Sequence, residues 1–148
     1  MLTVSLPIFG PVNQLATIIP FYVGTMPKFY MLNYGPRLID LTVDFVTYVD
    51  LANTEESIVK REGFLKTLSH KIFKFKTLFR VCVELSRRGS MIIDEKGDLS
   101  ESFKKSQIIF TKKQIANISF LINSISKQCA GWLSQTKEKK KENVSRER

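Results

Sequence analysis

Lys66, His70 and Lys74 recur at every fourth residue of a segment with helical apolar spacing, so they share one helical stripe. Arg88 continues that stripe, and Lys76, Arg80 and Arg87 form a second one beside it. Phe73 sits between the two, facing away from the apolar seam. These residue types suit one kind of chemistry. Lysine and arginine neutralise phosphates and release counterions, and an outward aromatic ring offers a stacking platform for a base. From Lys60 to Arg88 there are nine basic residues against Glu62 and Glu84, a balance of +7. The plainer alternative is a solvated face of a basic helix. The scarcity of acidic partners in the segment favours a binding surface.

Other chemistry finds little support. His70 is the only histidine, so general acid–base catalysis would rest on it alone. A helical ribonuclease site would need an arginine shortly before that histidine, and Arg61 is too distant. The seven glycines are scattered and form no phosphate loop. Cys82 and Cys129 fall inside helical apolar patterns, with no CxxC and no Cys/His cluster. They read as reduced core thiols. The expectation is therefore no enzyme, no metal site and no cofactor.

The 148-residue chain carries a net charge of +9. The excess is unevenly placed: Asp94 to Glu101 sum to −3, and Lys137 to Arg148 to +3. A concentrated basic field favours a polyanionic partner. The stretch Met1 to Met26 is uncharged but broken by Pro7, Gly10, Pro11 and Pro20, and lacks the basic start of a secretory signal. It reads as part of a cytoplasmic protein with no membrane span, an anchor being the alternative.

The elements that must hold the basic stripes follow from proline usage and periodicity. All five prolines occur by Pro36, which leaves the remainder free for long helices. A broken helix is expected around Val12 to Val23, then a turn at "TMPKFYMLNYGP". A second helix is expected from Pro36 to Ala52. Leu38, Leu41, Phe45, Tyr48 and Ala52 give it one apolar seam, and Ile39, Val43 and Val46 a second. Together they span roughly 220°, where a surface helix needs about 100°. Asn53, Thr54 and Ser57 offer caps for a third helix from Glu55 to Arg88, with Ile58, Leu65, Leu68, Ile72, Phe75, Phe79 and Cys82 as its apolar seam and Gly89 as its stop. Ser90 to Phe110 reads as a loop with local structure. A fourth helix begins after Thr111, with Ile115, Ile118, Ile122, Ile125, Cys129 and Trp132 in register. Trp132 is expected to cap the core, and residues 137–148 to form a basic, flexible tail after a single domain over 1–136.

Amphipathic helices with short links imply an all-α, up-and-down four-helix bundle. Three features fit an oligomer: the second seam Ile39, Val43 and Val46, outward Phe73 and Phe120, and Gly131 on the far side of the last helix. A glycine there either lets a neighbouring chain approach or merely loosens the helix end.

Three segments also carry a family resemblance. "MPKFYMLNYGPRLIDLTVDFVTYV", "FKTLFRVCVELSRRG" and "FTKKQIANISFLINSISKQCAGWL" resemble successive parts of one four-helix-bundle family. It includes the accessory variability determinant of diversity-generating retroelements and the small proteins encoded in 23S rRNA intervening sequences. Members show an "FPK" turn, an "LRxAxEL" stretch and an "IGRxxGGWL" ending. Here these correspond to Met26–Lys28, Leu78–Leu85 and Ser126–Leu133. The Gly131–Trp132 pair is the most specific element. The chain departs from the pattern in Ala130, in Lys127 and in a longer loop between Ser90 and Phe110. The resemblance implies a homopentameric, positively charged barrel that performs no chemistry itself. Its partners would be a reverse transcriptase and its template RNA or RNA/cDNA hybrid, in mutagenic cDNA synthesis. An rRNA-associated protein and a purely structural oligomer, charged for solubility, are the rival expectations.

Overall fold

The computed structural model describes residues 6–95 and 108–146, with side chains up to Arg87 and again from Ile108. Every regular element among them is helical: α1 Phe9–Gly24, α2 Lys28–Asn33, α3 Gly35–Thr54, α4 Ile58–Glu95 and α5 Lys112–Arg146. The protein is all-α. The core is one cluster drawn from all the long helices, and Ile109 and Phe110 enter it just before α5.

Helix α1 is continuous where the sequence suggested a break. Pro11 falls in its first turn, where amides have no intrahelical acceptor to lose. Pro20 lies inside the helix on the exposed side and removes one bond, while Val12, Leu15, Ile19 and Val23 stay buried on the other side. Apolar burial outweighs one lost hydrogen bond. The expected turn after Thr25 contains a short helix, α2, which Pro27 precedes in extended conformation.

Gly35 opens α3 against the end of α1. A Cβ on Gly35 would lie 2.5 Å from Val23 Cγ1, so the two helix ends approach this closely only because the side chain is absent. Gly35→Ala should lower stability by about 1–3 kcal/mol, the usual effect of overpacking. Urea unfolding measures it; an unchanged or raised midpoint would show that the helix ends separate without cost.

Arg61 fixes the turn between α3 and α4. Its Nε donates to the Ala52 carbonyl at 3.1 Å, and a terminal nitrogen to the Glu55 carbonyl at 2.7 Å. Arginine thus satisfies carbonyls that a helix end leaves open. Thr54 turns back to the Asp50 carbonyl rather than capping α4. The Ser57 hydroxyl accepts from the Lys60 amide at 3.4 Å instead.

Helix α4 runs through Gly89 to Glu95, so that glycine is not a stop. Part of the expected loop is thereby helical, and its stretch 96–107 lies outside the described residues. The Ser86 hydroxyl accepts from the Ile109 amide at 2.9 Å, tying the entry of α5 to α4. Thr111 and Gln114 then cap α5 reciprocally, side chain to amide, at 3.0 and 3.1 Å.

The long helices alternate in direction. Gly35 at the start of α3 meets Val23 near the end of α1. Arg61 at the start of α4 reaches the end of α3. Cys129 on α5 donates to the Leu65 carbonyl near the start of α4 at 3.8 Å. Asn117 near the start of α5 donates to Tyr22 near the end of α1 at 2.9 Å. Each long helix therefore packs on its neighbour in sequence, and α5 closes against α1.

Two expectations about α5 need correction. The helix continues to Arg146, through most of the segment read as a flexible tail. Trp132 is half-buried beside the core and does not seal it. Its stripe continues inward to Thr136, which is buried and donates to the Trp132 carbonyl at 2.9 Å.

Candidate nucleic-acid interface

The inward seam of α4 determines its outward face. Leu65, Leu68, Ile72, Phe75, Phe79 and Cys82 are buried, and Phe75 meets Phe45 of α3 edge-on at 5.6 Å. With that side fixed, Lys66, His70, Phe73, Lys74 and Arg80 are exposed. Phe73 keeps 66% of its surface open, unusual for a phenylalanine on an otherwise charged face.

The remaining basic residues are placed differently. Lys76 is half-buried and donates to the Ser126 hydroxyl at 2.9 Å, so it ties α4 to α5. Arg87 is exposed but bonded to Glu84 through two nitrogens, and this bond first, then the carboxylate's charge, stabilises its charged form further. Arg88 is on the helix, with its side chain outside the described set. Lys66 reaches Glu62 at 3.1 Å. Lys71 meets Asp44 of α3 at 3.2 Å. The segment is therefore less unpaired than its charge count suggests.

Beside this face, a groove of about 700 Å³ separates α3 from α4. His70, Phe73 and Lys74 line one part of it, and Arg37, Asp40 and Asp44 another. The two aspartates are legible as the polar face of their helix. Nothing in the spacing places them opposite the basic stripe.

Glu62 is the residue that sequence reasoning missed. It is buried, with 6% of its surface exposed, and takes Lys140 at 2.9 Å as well as Lys66. Hydrogen bonds from Lys140 first, then Lys66, hold its carboxyl below the ordinary 4.5. The native pKa is lowered, so the resulting stability is present above about 4.5 and is lost as pH falls through the native value. The available signal was periodicity: Thr136 and Lys140 continue the α5 stripe at the same three-to-four spacing.

The residues expected at an oligomer interface divide. Ile39 and Val46 are half-buried against their own core, which absorbs most of the second seam. Val43 and Phe120 stay open, at 53% and 75%. A Cβ on Gly131 would meet nothing within 4 Å, so the glycine makes no close contact within this chain. With Trp132 it borders a hollow of about 610 Å³, lined also by Ile8, Arg61 and Gln135.

Both thiols are buried, and burial pushes each up to about 11; for Cys82 this prevails over the opposing charge of Arg37. Neither is an activated nucleophile. Among the described residues, no group of His, Cys, Asp and Glu could hold a metal ion, and no helix is long and apolar enough to cross a membrane.

The α4 face offers exposed cations, one open aromatic ring and a groove, and its rear builds the core. Compared with protein-family models, curated proteins and solved structures, the chain matches none.

Proposed function

We propose that this chain is a non-catalytic, nucleic-acid-binding accessory protein. It partners a retroelement reverse transcriptase and its template RNA, or the RNA/cDNA hybrid, in mutagenic cDNA synthesis. In this reading the packed helices are an up-and-down four-helix bundle, and copies assemble into a basic homopentamer. The observation that carries the binding function is the open Phe73 among exposed Lys66, His70, Lys74 and Arg80. A stacking ring among cations suits single-stranded or splayed bases on a phosphate backbone. The retroelement context rests on the sequence resemblance. Open Phe120 and Val43 support self-assembly, since large exposed apolar side chains favour contact with another surface.

Two measurements test it. Light scattering at micromolar concentration should give a mass several times that of the 17.0 kDa chain. A stable monomer overturns the assembly. Co-expression with a candidate reverse transcriptase should give a complex that makes cDNA only when this protein is present. Undiminished cDNA synthesis without it, together with no complex, overturns the accessory role.

A further inference from the structure

We propose that the groove where α4 begins and α5 ends contacts an RNA phosphate backbone through Lys66, Lys137, Lys140 and Lys141, arranged around the buried carboxylate of Glu62. This rests on the RNA-binding reading of α4 and extends it to a second helix.

The groove measures about 500 Å³ and is lined by Glu62, Lys137, Lys140, Lys141, Val144 and Ser145. Lys137 and Lys141 are exposed and one turn apart, and Lys140 between them turns in to Glu62. Glu138 and Glu142 belong to the same stretch of helix, yet neither lines the groove. The helix thus sorts its charges, with Lys137, Lys140 and Lys141 towards α4 and Glu138, Lys139 and Glu142 elsewhere.

Glu62 organises the site without neutralising it. One carboxylate serves the ammonium groups of both Lys66 and Lys140. Each ammonium has three donors, so both retain N–H groups for a phosphate oxygen. Lys66 and Lys140 on one carboxylate, with Lys137 and Lys141 in the same groove as that carboxylate, leave a net positive charge for a phosphate. Lys66, which shares Glu62 with Lys140, also begins the stripe that continues through His70 and Lys74, so the groove adjoins the α4 face at Glu62. An extended polyanion fits this continuity better than a single small anion does.

The test is Lys137→Gln combined with Lys141→Gln, read by fluorescence anisotropy on a structured RNA over a series of salt concentrations. Both side chains are exposed, so helicity and Tm should stay at the parental values. The slope of log affinity against log salt should flatten by about 1.4–1.8, at 0.7–0.9 per phosphate contact. Lys139→Gln is the control. Lys139 lines the hollow beside Trp132 instead, and its loss should leave the slope unchanged. Parental affinity and slope in the double variant overturn the inference. So does a proportionate loss in Lys139→Gln, which would mean that net charge acts rather than the groove. If the double variant binds normally while an α4 variant does not, the groove falls and the α4 reading stands. If the parental protein binds RNA without salt dependence, both fall.

Discussion

Phe45→Ala should lower the unfolding free energy by about 3–5 kcal/mol, the range for deleting an enclosed aromatic ring. Phe45 is fully buried on α3 and meets Phe75 of α4 edge-on at 5.6 Å. Phe75 in turn stacks near Phe79, and Phe79 meets Phe110 at the entry to α5. Removing Phe45 therefore opens a cavity at the end of a ring-to-ring chain that joins α3, α4 and the segment entering α5. Close-packed neighbours cannot collapse into such a space without moving a helix. Phe73→Ala is the matched control. It deletes the same ring two residues from Phe75, from a site that is two-thirds exposed, and should stay within about 0.5 kcal/mol of the parent. Urea unfolding of both variants checks which side of α4 faces inward. Equal losses in the two, or a loss under about 1 kcal/mol in Phe45→Ala, would mean that the face is assigned wrongly.

That face was legible because periodicity reports burial directly. The seam Leu65, Leu68, Ile72, Phe75, Phe79 and Cys82 was visible as spacing, and so was the outward position of Phe73. So was Thr111 as the start of α5, because a capping residue precedes an unbroken apolar stripe. The misses have physical causes. Gly89 has the chemistry of a helix stop, but a single glycine costs only about 1 kcal/mol and a long helix passes through it. Pro20 was read as a break, yet its position on the solvent side leaves the buried stripe of α1 intact. Residues 137–146 show little to bury, which is why they read as a tail. Thr136 and Lys140 do continue the α5 stripe, but spacing alone does not name the partner, Glu62 on another helix, with which Lys140 pairs. Pairing across helices also hid the true state of the basic face. Charge counting within one segment cannot show that Lys71 meets Asp44 or that Lys76 turns in to Ser126. Trp132 lies on the right stripe, but at its depth in α5 the neighbouring helix ends leave a hollow, so the ring is only half enclosed.

The largest functional effect is expected from replacing Lys66, Lys74, Arg80 and Arg87 together by glutamine. The fold should persist, because all four are exposed and Glu62 keeps Lys140 when Lys66 is lost. Lys74 and Arg80 are the open cations, whereas Lys66 shares Glu62 and Arg87 is bonded to Glu84. The first two should contribute fully to phosphate neutralisation, and the other two in part, because a carboxylate already neutralises some of their charge. The salt slope should therefore flatten by about 1.4–3.6, between two and four contacts at 0.7–0.9 each. A loss of that size weakens RNA binding most at low salt, where counterion release contributes most. The variant should also fail to support cDNA synthesis. The deciding measurement is the affinity of this quadruple variant for structured RNA, titrated across salt concentrations beside the parent protein. A weaker, flatter salt dependence with an unchanged Tm is the predicted result; parental affinity and parental slope would contradict the assignment of this face to RNA.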